Sequence, residues 1–212
     1  MPLLEKKNNK TSVWLKYGIG GVVVLLLAYN SVYFRKLDKV KAEASGKFDA
    51  AAFAKTFFEK QLTPKLATAP DIDELTTLLS TDKNKAFDTY SHATAIGNIR
   101  YFLVKGQGTI TKINENDLTI QTPKQQLTLA MEFIYGNALR DASGEFDITK
   151  FTKTADINNV SSELNKLIRA SVVFPFRPKD KVGDNVQFAG AIALNKEHLN
   201  LTEIEVVPAS LK

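Results

Sequence analysis

Residues 99–113, IRYFLVKGQGTITKI, decide the fold. Val104, Gly106, Gly108 and Ile110 fall on one side of an alternating pattern, and Lys105, Gln107, Thr109 and Thr111 on the other. That period of two predicts one long strand, half buried. Two glycines on the inner side predict a tight bend, where larger side chains would crowd. A turn at NEND (114–117) leads to a second strand, LTIQT, with Leu118 and Ile120 inward. A further turn at Pro123–Lys124 leads to a third, QLTLAMEF, with Leu127, Leu129, Met131 and Phe133 on one face.

Downstream, Ile157, Val160, Leu164, Leu167 and Ile168 recur at helical spacing. VGDNVQFAGAIAL then predicts a strand with Val186, Phe188, Gly190 and Ile192 inward, and LTEIEVVP a last one. Three strands, a helix and two strands is the chain order of an OB-like five-stranded β-barrel. Upstream lies a small helical module, 48–97. Asp49 is placed to cap its first helix, with Phe48 and Phe53 as a hydrophobic staple. Pro64 is expected to end that helix. Asp71 and Asp82 are placed to start two more, with Glu74 in a capping-box-like position after Asp71. The expected class is α+β, with residues 48–212 as a single soluble domain divided at 97/98.

Before this domain, residues 17–34 (YGIGGVVVLLLAYNSVYF) carry no charge. With Val13–Leu15 they approach the ~20 apolar residues that span a bilayer. Trp14, Tyr17, Tyr29 and Tyr33 resemble interfacial anchors. No small-x-small cleavage site follows, so an uncleaved signal anchor is expected in residues 1–34, with 35–47 as a juxtamembrane linker. The basic residues flanking the span are nearly balanced. A short tail before one span and a large domain favours the tail inside and the domain on the periplasmic face of the cytoplasmic membrane.

The formal charge is +5. Four Lys and one Glu lie in residues 1–34, leaving 24 basic and 22 acidic residues in the rest. The excess is therefore mainly membrane-proximal, which argues against nucleic acid. The face expected of strands two and three, Thr119, Gln121, Thr128 and Ala130, offers no aromatic stacking platform.

GNALRDA (136–142), an F-x-x-F-T-like stretch over 146–152, a helix containing Leu164–Asn165, and VG-x-x-V-x-F-x-GA (182–191) together resemble the bacterial family called domain of unknown function 2291, predicted periplasmic lipoproteins. The resemblance covers roughly 48–208. It implies an extracytoplasmic, membrane-tethered protein, often encoded beside sugar ABC importers, with no established catalytic activity. The chain has no cysteine, so none of these residues can carry the lipid such a label implies.

Arg140 and Asp141 are the candidate ligand or partner contacts. Arg140 could offer a bidentate fork to an anion or sugar hydroxyl. Alternatively both brace the loop leaving the third strand, Asp141 accepting backbone N–H groups and Arg140 pairing with an acid elsewhere. Asp71, Asp73 and Glu74 fit helix capping better than metal binding. His92 and His198 lie in no ligand-spaced or catalytic motif. KGQGTI lacks the GK[ST] of a phosphate loop. Arg177, Lys179 and Lys181 read as a solvated loop or a contact for anionic headgroups. No metal, cofactor or catalytic residue is expected. The function expected is a membrane-anchored accessory or interaction protein, with a small-ligand or saccharide-binding module as the alternative.

Overall fold

The computed structural model describes residues 17–18, 20, 22, 48–94, 96–177 and 181–212. The chain divides into two compact units, Met1–Lys47 and Phe48–Lys212. The expected tail, anchor and linker lie outside the described residues, apart from Tyr17, Gly18, Gly20 and Val22, which are helical. Among the described residues no helix is long and apolar enough to cross a membrane.

The second unit opens with α1 (Ala50–Phe57). The Asp49 carboxylate accepts the Ala52 amide at 3.0 Å, and Phe48 packs on Phe53 with ring centroids 5.5 Å apart. Pro64 does not end the helix. A π turn, Phe58–Leu62, carries it into α2 (Thr63–Thr68), where Pro64 sits in the first turn. Proline has no N–H to donate and its ring presses on the carbonyl one turn back. The π turn shifts the register just before it: the Thr63 amide reaches back five residues to the Phe58 carbonyl. The helix stops at Ala69, extended before Pro70. Then come α3 (Ile72–Thr81) and α4 (Lys83–Tyr90), capped by Asp71 and Asp82 as the sequence implies.

A two-residue strand, β1 (Ser91–His92), precedes the long strand β2 (Ile99–Ile113) and pairs with it. The strands β3 (Asp117–Gln121) and β4 (Gln126–Ala130) follow in antiparallel order. After the helices come β5 (Asn185–Asn195) and β6 (Glu205–Leu211). Pairing runs β2–β3–β4–β6–β5 and returns from β5 to β2, so five strands close a ring, with β4 and β6 parallel. One strand serves two neighbours because β2 is 15 residues long. Its residues 99–109 pair with β5, and a bulge between Ile110 and Lys112 turns its far end along β3.

Val104, Ile110, Val186, Phe188 and Ile192 are buried together, in the phase the alternation implies. The glycines are explained by space. A Cβ on Gly190 would stand 2.2 Å from the Val207 carbonyl oxygen, backbone against backbone.

Two strand limits differ from the sequence reading. The third ladder strand stops at Ala130, because the amides of Met131 and Glu132 both donate to the Asn116 carbonyl. Past that turn the alternation lapses: Met131 is buried but Phe133 is 56 % exposed. The last strand starts at Glu205 rather than 201, since the Asn200 side chain accepts the Thr202 amide and holds a turn there.

GNALRDA is also not a loop. It forms α5 (Gly136–Ala142), packed on β2, β5 and α6 (Thr154–Ile168). The face of α6 carrying Val160, Leu164 and Ile168 is buried, with Ile157 and Leu167 at its margin. A second π turn, Arg169–Val173, leads into the short α7 (Phe174–Phe176).

Candidate functional site

Arg140 and Asp141 lie inside the molecule, their side chains 9 % and 7 % exposed. Arg140 Nε donates to Asp141 Oδ1 at 2.6 Å and its Nη1 to Ser161 Oγ at 2.8 Å. The guanidinium carbon lies 4.8 Å from the Phe146 ring centroid. Phe146 in turn stacks on Phe151 and meets the edges of Phe53 and Phe57. The acid that Arg140 finds is thus its own neighbour, and the Asp141 carboxylate takes that guanidinium rather than backbone amides. Gly136 lets α5 close on α6: a Cβ there would meet the Ser161 carbonyl at 2.5 Å. Tyr101 of β2 faces the pair. Burial, and then the Asp141 charge, push its phenol above the ordinary value, against the opposing pull of Arg140 and the Asn137 side chain.

The acidic triplet separates into different tasks. Asp71 caps α3 through the Asp73 amide. Asp73 itself is buried and reaches the β3–β4 turn. Its carboxylate accepts from Thr122 Oγ1 at 2.6 Å, Gln125 Nε2 at 3.2 Å and the Lys124 amide at 3.3 Å. No local pattern announces this bond set, because 49 residues separate Asp73 from Thr122. Among the described residues no group of three or more His, Cys, Asp or Glu could hold a metal ion. His92 packs its ring against Gly144. Burial, then Lys65 and Arg100, hold its pKa below the ordinary value, with Glu145 opposing. Gly106 and Gly108 are ring residues of β2. Arg177 donates to the Glu132 carboxylate and the Glu115 carbonyl. Lys179 lies outside the described residues.

None of these residues except Asp71 and Gly106 borders a groove of about 1120 Å³. One wall is the α1–α2 helix, with Phe58, Thr63 and Leu66. The other is the segment 171–176, with Val172 and Phe176. Ile110 and Phe188 contribute to the floor, and Lys105, Gln107, Asn185 and Gln187 stand exposed around it. Both π turns of the described residues border this groove, one on each side. Such turns insert one residue into a helix and occur often at functional sites. Neither strand of the floor has a free backbone edge there: β2 and β5 pair with each other, β5 also with β6, and the Lys105 amide donates to the Pro70 carbonyl. Recognition in the groove therefore falls to side chains.

Residues 22–212 match the family described as "Predicted periplasmic lipoprotein (DUF2291)". The chain belongs to this family. A crystal structure of an OB-fold protein from Thermotoga maritima is similar to it, with a TM-score of 0.70 and 24 % identity, covering 78 % of this chain and 98 % of that one. The likeness gives the fold, an α+β chain around an OB-like sheet. No curated protein matches this chain. Family membership bears out the resemblance drawn from GNALRDA and the β5 motif. It places the protein in a family of unknown function described as predicted periplasmic lipoproteins, a label compatible with membrane association.

Proposed function

We propose that this protein is a non-enzymatic accessory protein, tethered to the outer face of the cytoplasmic membrane by its N-terminal segment, that binds a segment of a protein partner in the groove between α1–α2 and residues 171–176. The groove carries this reading. At about 1120 Å³ it has room for a short peptide segment. Its lining joins apolar side chains of the two walls, Phe58, Val172 and Phe176, to polar ones of β2 and β5, a mixture that suits a protein interface. Its charged border is balanced, Asp71 and Asp184 against Lys105 and Lys212, which suits neither a polyanion nor a polycation. The family resemblance makes a sugar ABC importer the first partner to test. Arg140 and Asp141 serve this function indirectly, as a brace for the wall behind α1.

The experiment is co-purification from native membranes of the wild-type chain and of Gln187→Trp, which fills the groove from an exposed position. An importer subunit retained by the wild type and lost by a variant with unchanged melting supports the reading. Equal retention by both would sink the groove as the site. A saccharide that protects both forms from thermal unfolding would replace it with the ligand-binding alternative.

A further inference from the structure

The segment that forms one groove wall carries a different surface on its other side. Phe174 is 51 % exposed, and the Arg169 guanidinium lies 5.3 Å from its ring centroid. Arg169 Nη2 donates to Glu132 Oε1 at 2.7 Å, and Arg177 Nη1 to Glu132 Oε2 at 3.3 Å. Phe133 follows Glu132 directly and is 56 % exposed. Arg177 also reaches the Glu115 carbonyl, two residues from Ile113, which is 42 % exposed. The end of the ring where β4 departs thus gathers two half-exposed phenylalanines and an isoleucine around two arginines that share one carboxylate.

Nothing in the core needs Phe133 or Phe174 in these positions. Each leaves half its ring in water, at a cost set by its apolar area. Among the described residues the two arginines with one glutamate leave an excess of one positive charge beside them. Exposed Lys112 and Lys181 nearby are offset by Glu115 and Asp184. Aromatic rings beside guanidinium groups match the lipid interface, where the rings enter the headgroup layer and the cations meet phosphate.

We infer that this end of the ring, Phe133 and Phe174 with Arg169 and Arg177, rests on the phospholipid headgroup layer, with the two rings inserted. The inference rests on the proposed tether to the membrane. With so small a charge excess, ring insertion is the main source of attachment, so zwitterionic lipid should suffice and anionic lipid should add little. The groove would then open beside the membrane surface, on the opposite side of residues 171–176.

The chain has one tryptophan, Trp14. The test uses the full chain with Trp14→Phe, carrying in turn Phe174→Trp, Phe133→Trp or, as a control on α4, Tyr90→Trp. Each is incorporated into phosphatidylethanolamine vesicles, with or without phosphatidylglycerol, made from plain or brominated lipid. The expected result is a blue-shifted emission at positions 133 and 174, reduced at least twofold by bromine in both lipid mixtures, with position 90 unchanged. Emission at 133 and 174 that brominated lipid leaves unaltered, in a chain that floats with the vesicles, overturns the inference and leaves the tether intact. If those positions are shielded from acrylamide but not quenched by bromine, the surface meets protein instead and the inference fails. A chain that does not float with vesicles overturns both tether and inference, because the aromatic end would also have failed to hold lipid.

Discussion

Arg140 and Asp141 are consecutive in the chain and bonded in space, Nε to Oδ1 at 2.6 Å, with both side chains turned inward. Adjacent helix residues point about 100° apart and do not ordinarily meet. The long arginine side chain closes that angle, held from outside α5 by Ser161 and by the face of Phe146.

Removing one member leaves the other charged, buried and unpaired, a cost of roughly 3–5 kcal/mol. Arg140→Ala should therefore lower the melting temperature with no ligand present. Asp141→Asn should also destabilise, and in a double-mutant cycle the two losses should fall short of additivity. A variant at Arg140 that melts like wild type but loses its partner would make the pair a site, not a brace.

Asp73 ties the helical module to the β3–β4 turn through three accepted hydrogen bonds. Asp73→Ala removes one acceptor from the buried Thr122 hydroxyl and the half-buried Gln125 amide, each of which keeps another in the Gln125 carbonyl and Thr76 Oγ1, so the cost should fall at the low end of about 1–3 kcal/mol. Amide hydrogen exchange at residues 122–125 should rise while the ring stays protected. Unchanged exchange there would show that the turn holds itself.

The glycines should differ in tolerance. At position 190 an added methyl meets the Val207 backbone at 2.2 Å, which only a backbone shift can relieve. At position 106 it meets side chains, the far end of Phe188 and the Cγ2 methyl of Ile72, at 2.7 and 2.8 Å. Gly190→Ala should cost more than Gly106→Ala, whose own cost should lie near the roughly 1–3 kcal/mol of an overpacked core. Urea denaturation of both variants checks the order, and a reversed order would place the strain in the side chains.

Acidification should weaken the fold through His92. The unfolded chain takes up its proton near the ordinary value of 6.5, whereas burial, Lys65 and Arg100 delay uptake in the folded chain. In the window below 6.5 the unfolded state binds more protons, so this contribution is complete above that pH and shrinks as pH falls through the window. Wild type should lose more melting temperature than His92→Gln between neutral pH and about pH 5.5. Parallel losses would unlink the imidazole from stability.

The five ring strands were legible where one face is buried, because burial there writes a period of two into the sequence. Strand β2 shows it from Val104 to Ile110, whereas Phe102–Val104 and Val206–Ala209 are buried in unbroken runs and the two-residue β1 gave no periodic signal. The helix starts at Asp49, Asp71 and Asp82 were legible because caps are local. What escaped is what depends on contacts from afar. Pro64 reads as a stop until the π turn at Phe58–Leu62 shifts the register. Phe133 continues an apolar alternation that Asn116 interrupts from another turn. GNALRDA is too short for helical period to declare itself, and its helix is stabilised by burial against α6. The groove was invisible for the same reason: its walls lie more than 100 residues apart in the chain, from Phe58 to Val172.

Photocrosslinking tests the central claim most directly. Benzoylphenylalanine is placed at Thr63 on one wall, at Gln187 on the floor, and at Lys83 on α4 as a distant control, in the full chain within native membranes. The groove account predicts that positions 63 and 187 give adducts with the same membrane protein, that position 83 does not, and that Gln107→Trp abolishes the adduct from Thr63. Adducts of equal yield from position 83, or none from the groove where the intact chain still recovers a partner, would contradict it.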